Sequence, residues 1–314
     1  EAPRVVVTNG MMIPNYSKPD DCEKFNARGG TQYGQMTAGS YMYIGPQGIV
    51  HGTAITVMNA FRKVLQKGES PNGKVFLTAG LGGMSGANTK AGNIAGCITV
   101  CAEMNPEAAK KRHQQGRVDE LLTNNSALIE RTKEAIVKKE VVSLAYLGSD
   151  QTSLHNPWAG GYYPVGLSLE KANEMMVENP SKFKKQVQES LRRQIDAINK
   201  HTAKGTYFFD YGNAFLLEVS RSGGNVMAEN DIDFRYPSYV QDILGPMCFD
   251  YGFGPFRWVC TSGNPKDLQK TDAIALKIMQ QIKTEAPEEI QQQMQDNITC
   301  IKEAEQNRLV VGSQ

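Results

Sequence analysis

A chain of 314 residues is long enough to bury a substantial core and to hold two domains or parts of domains. Its 34 basic and 33 acidic residues leave a net charge of +1, which offers no bulk attraction to nucleic acid or to a membrane surface. No apolar run approaches the roughly 18 residues of a membrane span, and the first residues lack the pattern of a signal peptide. Six cysteines, at 22, 97, 101, 248, 260 and 300, form no disulfide framework. The histidines at 51, 113, 155 and 201 give no metal-ligand spacing. These features predict a cytoplasmic protein without a metal centre.

Strands are expected at residues 4–8 and 40–44. Apolar residues at helical spacing then predict a helix over 48–66, ended by Gly68. Next comes Lys74-Val-Phe-Leu-Thr-Ala-Gly-Leu-Gly-Gly-Met-Ser-Gly86, an apolar run that breaks into Gly80, Gly82, Gly83 and Gly86. A second strand is expected at 98–102, with Glu103 at its end. Cys97 and Cys101, four apart, belong to one face of that run and suggest a buried reduced pair. A capped helix follows, with Asn105 as N-cap, Pro106 at the first position and Gly116 past the end. The basic run Lys110-Lys111-Arg112-His113 reads as a solvated face of this helix. Another helix over 126–139 and a third strand over 141–146 complete an alternation that implies a mostly parallel sheet. Helices dominate afterwards, at 169–178, 181–204, 212–221, 237–244 and most of 266–306.

Strand, glycine turn, helix, strand and acid is the order that a dinucleotide site requires. Glycines let the backbone turn tightly beside a pyrophosphate, whose charge is held by the unpaired N–H groups of a helix start. An acid after the second strand can accept hydrogen bonds from ribose hydroxyls. Glycine turns also close loops that bind nothing, and here Ser85 stands where the pattern expects its third glycine. The turn alone therefore leaves both readings open.

Four loops carry polar or aromatic groups beyond what packing asks for. They are Tyr33-Gly-Gln-Met-Thr-Ala-Gly-Ser40, the segment from Asp150 to Pro164, Asp210-Tyr-Gly-Asn213, and Gly252-Phe-Gly-Pro-Phe-Arg-Trp258. The second holds His155, Tyr162 and Tyr163, the third offers Tyr211 as a ring for stacking, and the fourth presents Arg257 between aromatics. Each also has a plain reading as a turn, a helix cap or a packed aromatic. Nucleophile elbows, Cys/His pairs and phosphate loops ending in Lys-Ser/Thr are all missing from the sequence.

Together these strings resemble the urocanase (urocanate hydratase) family, in the family's order and across nearly the whole chain. The matching strings are Tyr33-Gly-Gln-Met-Thr-Ala-Gly-Ser40, Tyr43-Ile-Gly-Pro-Gln-Gly-Ile-Val50, Leu77-Thr-Ala-Gly-Leu-Gly-Gly-Met84, Asp150-Gln-Thr-Ser153, Phe209-Asp-Tyr-Gly-Asn213 and Gly254-Pro-Phe-Arg-Trp258. Ser190-Leu-Arg-Arg-Gln194 looks like the eukaryotic branch. The resemblance implies a lyase of histidine degradation that adds water to urocanate to give imidazolone propionate. It further implies a homodimer with tightly held NAD+, whose nicotinamide ring serves as an electrophile with no net hydride transfer.

Carried over by position, the implied NAD contacts are Gln35, Gly83, Met84, Ser85, Glu103, Gln151, Thr152, Ser153, Leu154, His155, Tyr162, Tyr163 and Tyr211. Arg257, for the substrate carboxylate, and Tyr211 are the catalytic candidates. Family members extend further at both ends and carry another helix and loop between Tyr146 and Leu147. The resemblance thus implies a chain truncated at both ends and interrupted there.

The expected architecture is α/β, a Rossmann-like NAD-binding domain with helical additions, flanked by parts of a second core domain. Its segments are 1–44, the end of an N-terminal core; 45–245, the NAD-binding domain; and 246–314, the start of a C-terminal core. The competing functions are an NAD-dependent dehydrogenase and a non-catalytic NAD-binding fragment.

Overall fold

The computed structural model describes residues 20–21, 24, 27–28, 45–82, 85–147, 157–212, 214–254, 262 and 264–306. The strands expected at 4–8 and 40–44 lie outside these residues. The first long element is helix α1 (Gly45–Val64). It begins three residues before the predicted start, because Pro46 is tolerated in a first turn, where its missing N–H has no intrahelical partner.

Then β1 (Val75–Ala79), α2 (Asn88–Ala95), β2 (Ile98–Glu103), α3 (Pro106–Gln114), β3 (Glu120–Leu122), α4 (Asn125–Lys138) and β4 (Val142–Leu147) alternate along the chain. The four strands form one parallel sheet in the order β1-β2-β4-β3, with Val75 opposite Ile98 and Ile98 opposite Val142. The sequence reading missed β3. Its three half-buried residues at the sheet margin are too few to show a period. β4 runs as continuous strand through the point where the interruption was expected.

Right-handed crossovers decide which helix covers which face. The steps β1→β2 and β2→β3 run in one direction across the sheet, so α2 and α3 share a face. The return step β3→β4 puts α4 on the other. Packing agrees: Cys101 clusters with Ala109 of α3, whereas Ile98, Val100 and Leu144 cluster with Ala135 of α4. Cys97 and Cys101 are both buried, as the spacing suggested. Burial pushes the Cys97 thiol up to about 12 and raises Cys101 as well, the latter helped by the charge of Glu103. Both are held as inert thiols.

A second, helical core lies beyond the sheet. Helices α5 (Leu169–Glu178), α6 (Pro180–Thr202) and α7 (Phe215–Arg221) enclose Phe183, Val187, Leu191 and Ile195, which recur every four residues along α6. Each buried side chain of this kind contributes about 2 kcal/mol. Asn179 caps α6 by accepting from the Lys182 N–H at 3.1 Å, and Pro180 stands at the first position. The helix predicted at 212–221 begins only at Phe215, after Ala214 in a left-handed conformation with φ 66°. Residues 240–244 make a π-helical turn rather than an α-helix.

The helical stretch expected over 266–306 is two helices, α8 (Pro265–Glu285) and α9 (Glu288–Gln306), because Pro287 interrupts it. They pack on each other through Ala275, Met279, Met294, Ile298 and Ile301. α9 also meets α1 through polar pairs. His51 bonds Asn297 at 2.6 Å, the amides of Asn59 and Gln293 bond each other at 2.9 and 2.6 Å, and Arg62 grips both oxygens of Asp296 at 2.6 and 2.7 Å.

α2 and β2 approach closely at Gly92. A Cβ on Gly92 would meet the Thr99 hydroxyl at 1.8 Å and the Cys97 sulfur at 3.5 Å. Thr99 is β-branched and fully buried, so it cannot turn aside cheaply. Gly92→Ala would gain about 1 kcal/mol of helix propensity, but overpacking costs about 1–3 kcal/mol. The variant is therefore expected to unfold at lower urea concentration than the parent. An unchanged or higher midpoint would contradict this packing.

Candidate functional site

The glycine turn occupies the carboxyl end of β1. Gly80 has φ 86°, a conformation that only glycine adopts without strain, and its N–H donates to Ala102 O of β2 at 2.7 Å. A 3-10 turn over Ser85–Ala87 leads into α2, whose N-cap, Ala87, supplies no side-chain bond. The first turn of α2 holds no acid either. Asn88 instead reaches back to donate to the Thr78 hydroxyl at 3.0 Å, which ties the helix start to β1. The buried Thr89 hydroxyl in that first turn finds no partner among the described residues. A helix start at the end of a parallel strand, with neither a side-chain cap nor an acid in its first turn, suits an anion through its dipole. The residues present therefore fit a phosphate-bearing cofactor.

Glu103 stands at the end of β2 and is 4% exposed. One carboxylate oxygen accepts from the Leu81 N–H in the turn, and the other accepts from the Asn105 N–H at 2.7 Å. Asn105 in turn caps α3, accepting from the Glu107 N–H at 2.9 Å. A single acid thus fixes both loops that leave β1 and β2. Each of its oxygens retains a second acceptor direction.

The sequence reading assigned the run 110–113 to a solvated face, and for Arg112 the structure corrects this. Its guanidinium turns inward, Nε donating to Leu81 O at 3.0 Å and Nη2 to Gly82 O at 2.9 Å. A signal was present in the sequence. Arg112 follows Ala109 by three residues and so shares the buried face of α3.

Tyr163 and Tyr211 bring the helical core to this neighbourhood. Burial raises the Tyr163 phenol above its usual pKa, and the Glu103 charge adds to the shift. Tyr211 stacks on Tyr239 with centroids 4.6 Å apart and planes 12° from parallel. Tyr239 packs against the cluster of Val50, Ala54, Ala87 and Ala91, which joins α1 to the start of α2. The Tyr211 residue is 39% exposed, while its hydroxyl lies 3.2 Å from the Thr53 hydroxyl. Enclosure of that hydroxyl raises its pKa, and the Thr53 and Thr56 contacts partly oppose the rise.

Tyr162 stands apart. It is 1% exposed in the helical core, and its phenol donates to Gln194 Oε1 at 3.1 Å, so its side chain serves packing. Gln35, Gly83, Met84, Gln151, Thr152, Ser153, Leu154, His155 and Arg257 lie outside the described residues, as does the side chain of Ser85. The sequence reading overlooked Tyr239, which no local pattern marks. Among the described residues no cluster of three or more acid, His or Cys side chains could hold a metal ion. No described helix is long and apolar enough to cross a membrane.

Parallel strands joined by helical crossovers, with a glycine turn and a helix start at the strand ends, define a Rossmann-like α/β protein, compatible with a nucleotide cofactor. The profile described as the urocanase Rossmann-like domain matches residues 45–149 and 147–243, in two pieces. Those of the urocanase N-terminal and C-terminal domains match residues 1–42 and 246–314. The chain belongs to the urocanase family. It is 55% identical over 338 aligned residues to a probable urocanate hydratase of Caenorhabditis elegans, 53% over 337 residues to one of Dictyostelium discoideum, and 52% over 340 residues to the urocanate hydratase of Homo sapiens. Each match covers 100% of this chain and 50% of the relative, so the chain spans about half the length of these proteins.

If Glu103 fixes both loops, its charge-neutral isostere should loosen them. Glu103→Gln presents an NH₂ group to one of the two backbone donors and loses a charge-assisted bond, at a cost of about 2 kcal/mol. The variant is expected to melt several degrees below the parent, by about 2–4 °C for a chain of this size. Equal melting temperatures in calorimetry would contradict the assignment.

Proposed function

We propose that the chain is the NAD-binding portion of a urocanate hydratase, together with parts of the flanking core. In this reading the segments are 1–44, 45–245 and 246–314, and the intact enzyme is a cytoplasmic homodimer acting in histidine degradation. One observation carries the reading. The start of α2, with neither a side-chain cap nor an acid in its first turn, lies at the carboxyl end of β1, in a chain that aligns along its whole length with urocanate hydratases.

When bound, NAD+ supplies an electrophilic ring that draws electron density from the substrate imidazole and returns it, so no hydride leaves. The work of the chain is then to hold, orient and exclude water. Amides of the turn at Gly82 and of the first turn of α2 receive the phosphates. Glu103, already anchored to Leu81 and Asn105, offers its remaining acceptor directions to ribose hydroxyls. Tyr211, held flat by Tyr239, forms a rigid wall against which a planar ring is ordered. Gln35, Gly83, Met84, Ser85, residues 151–155 and Tyr163 are proposed to complete the cofactor site, with Tyr162 contributing through its backbone. Arg257 is proposed to pair with the substrate carboxylate, since a guanidinium matches a planar anion.

The half-length coverage favours a second reading, a nucleotide-binding piece without turnover of its own. The two are separated by adding urocanate to the purified chain and following its ultraviolet absorbance while assaying retained NAD. Loss of the substrate band with no reduced nicotinamide is the expected outcome. Retained NAD without turnover would favour the second reading, and reduced nicotinamide would indicate a dehydrogenase. In a chain that turns over, Arg257→Ala is expected to raise KM at least about tenfold while leaving NAD bound. Unchanged KM would remove Arg257 from that role.

A further inference from the structure

We infer that Arg112 is a positioning residue for the cofactor, one that holds the glycine turn in its phosphate-receiving shape. The inference rests on the nucleotide reading of the turn proposed above. Three donors of the guanidinium have assigned acceptors: Nε on Leu81 O at 3.0 Å, Nη2 on Gly82 O at 2.9 Å, and Nη1 on Gln115 Oε1 at 2.7 Å. The last bond fixes the fork in its plane, and the first two set the peptide orientations of the turn.

In a trans peptide the C=O and the following N–H point in opposite directions. With Leu81 O drawn toward α3, the Gly82 N–H on the same peptide is turned away from Arg112. Gly82 O receives a second bond from the Gly86 N–H at 3.1 Å, so this carbonyl is held from two sides. A carbonyl facing a phosphate would repel it, and Arg112 keeps two of them occupied elsewhere. Its charge also stands beside the turn, with the sign that an anion needs.

Gly86 provides an independent handle on the same contact. A Cβ there would come within 2.5 Å of Arg112 Nε and 3.1 Å of its Cδ. The backbone of Gly86 is not in the left-handed region, and a Cβ there would also come within 3.1 Å of Leu81 O, so the absence of a side chain serves the close approach of Arg112 and of the turn backbone together. Lysine could not replace the arginine, since a single ammonium on a flexible stem cannot bridge two carbonyls in a fixed plane.

The test is a double-mutant cycle on the full chain, with Arg112→Ala, Gly86→Ala and the pair. Binding of NAD+, ADP-ribose and adenosine is measured by calorimetry, and Arg112→Lys serves as the charge-conserving variant. Arg112→Ala is expected to weaken NAD+ and ADP-ribose about tenfold, as the turn it held loses its orientation, with adenosine little changed. Gly86→Ala should weaken them in the parent and clearly less in the Arg112→Ala background, where only the contact with Leu81 O remains, and Arg112→Lys should recover only part of the loss. Equal weakening of adenosine and ADP-ribose, additive effects in the cycle, or full recovery by lysine would overturn the inference. Failure of the unmutated chain to bind NAD+ or ADP-ribose would remove the underlying cofactor reading and this inference with it.

Discussion

Two backbone N–H groups from different loops converge on one buried carboxylate, and the geometry of the strand ends depends on that convergence. At 4% exposure a carboxyl group whose oxygens lacked hydrogen-bond partners would be costly to bury. Its donors among the described residues are main-chain amides of Leu81 and Asn105, which have no conformational freedom apart from their loops. Satisfying the charge therefore fixes the loops. From Leu81 the glycine turn leads to the uncapped start of α2, and from Asn105 the capped α3 carries Arg112 back onto the same turn. Acid, turn and arginine form a closed circuit through two helices. The arrangement stiffens a glycine-rich segment that would otherwise be among the most flexible of the chain.

α1 is the second organising element, because three parts of the molecule meet on it. Its Val50, Ala54 and Ile55 pack on α2. Thr53 meets Tyr211 at the edge of the helical core, and Lys63 binds Asp242. That ion pair and the Tyr207 hydroxyl hold the Asp242 carboxyl below the ordinary carboxylate range. On another side His51, Asn59 and Arg62 face α9. The position of the Tyr211–Tyr239 stack relative to the strand ends is thus a property of α1 rather than of the loop that carries Tyr211.

Much of this was legible in the sequence where a residue's role is local. Asn105, Pro106 and the following helix were read correctly because capping is decided within one turn. The range of α6 was expected to within two residues, and the glycines after β1 marked the turn. Roles that depend on residues distant in sequence were not legible. Glu103 was read as a ribose acceptor, yet its two bonds to backbone show up only once the loops are folded together. Arg112 looked like one cation in a basic run; its spacing from Ala109 hinted at the buried face, but its carbonyl partners in the turn show only once α3 packs on the sheet. Tyr239 lies 28 positions from the ring it stacks on, so no periodicity links them.

The polar contacts between α1 and α9 also bear on the order of events during synthesis. Their partners are separated by 234 and 246 positions along the chain. Asn59 has no amide to receive it until Gln293 has emerged, and closing so long a loop is slow compared with building the sheet. At about 5–20 residues per second, the sheet and the helical core are synthesised many seconds before α9 arrives. During that interval one flank of α1 faces water with its hydrogen-bonding groups hydrated. A polar flank tolerates such waiting far better than an apolar one, which would offer a sticky surface to neighbouring chains. The amides and ions along this seam therefore suit an early helix that must stay soluble until its last partner is made.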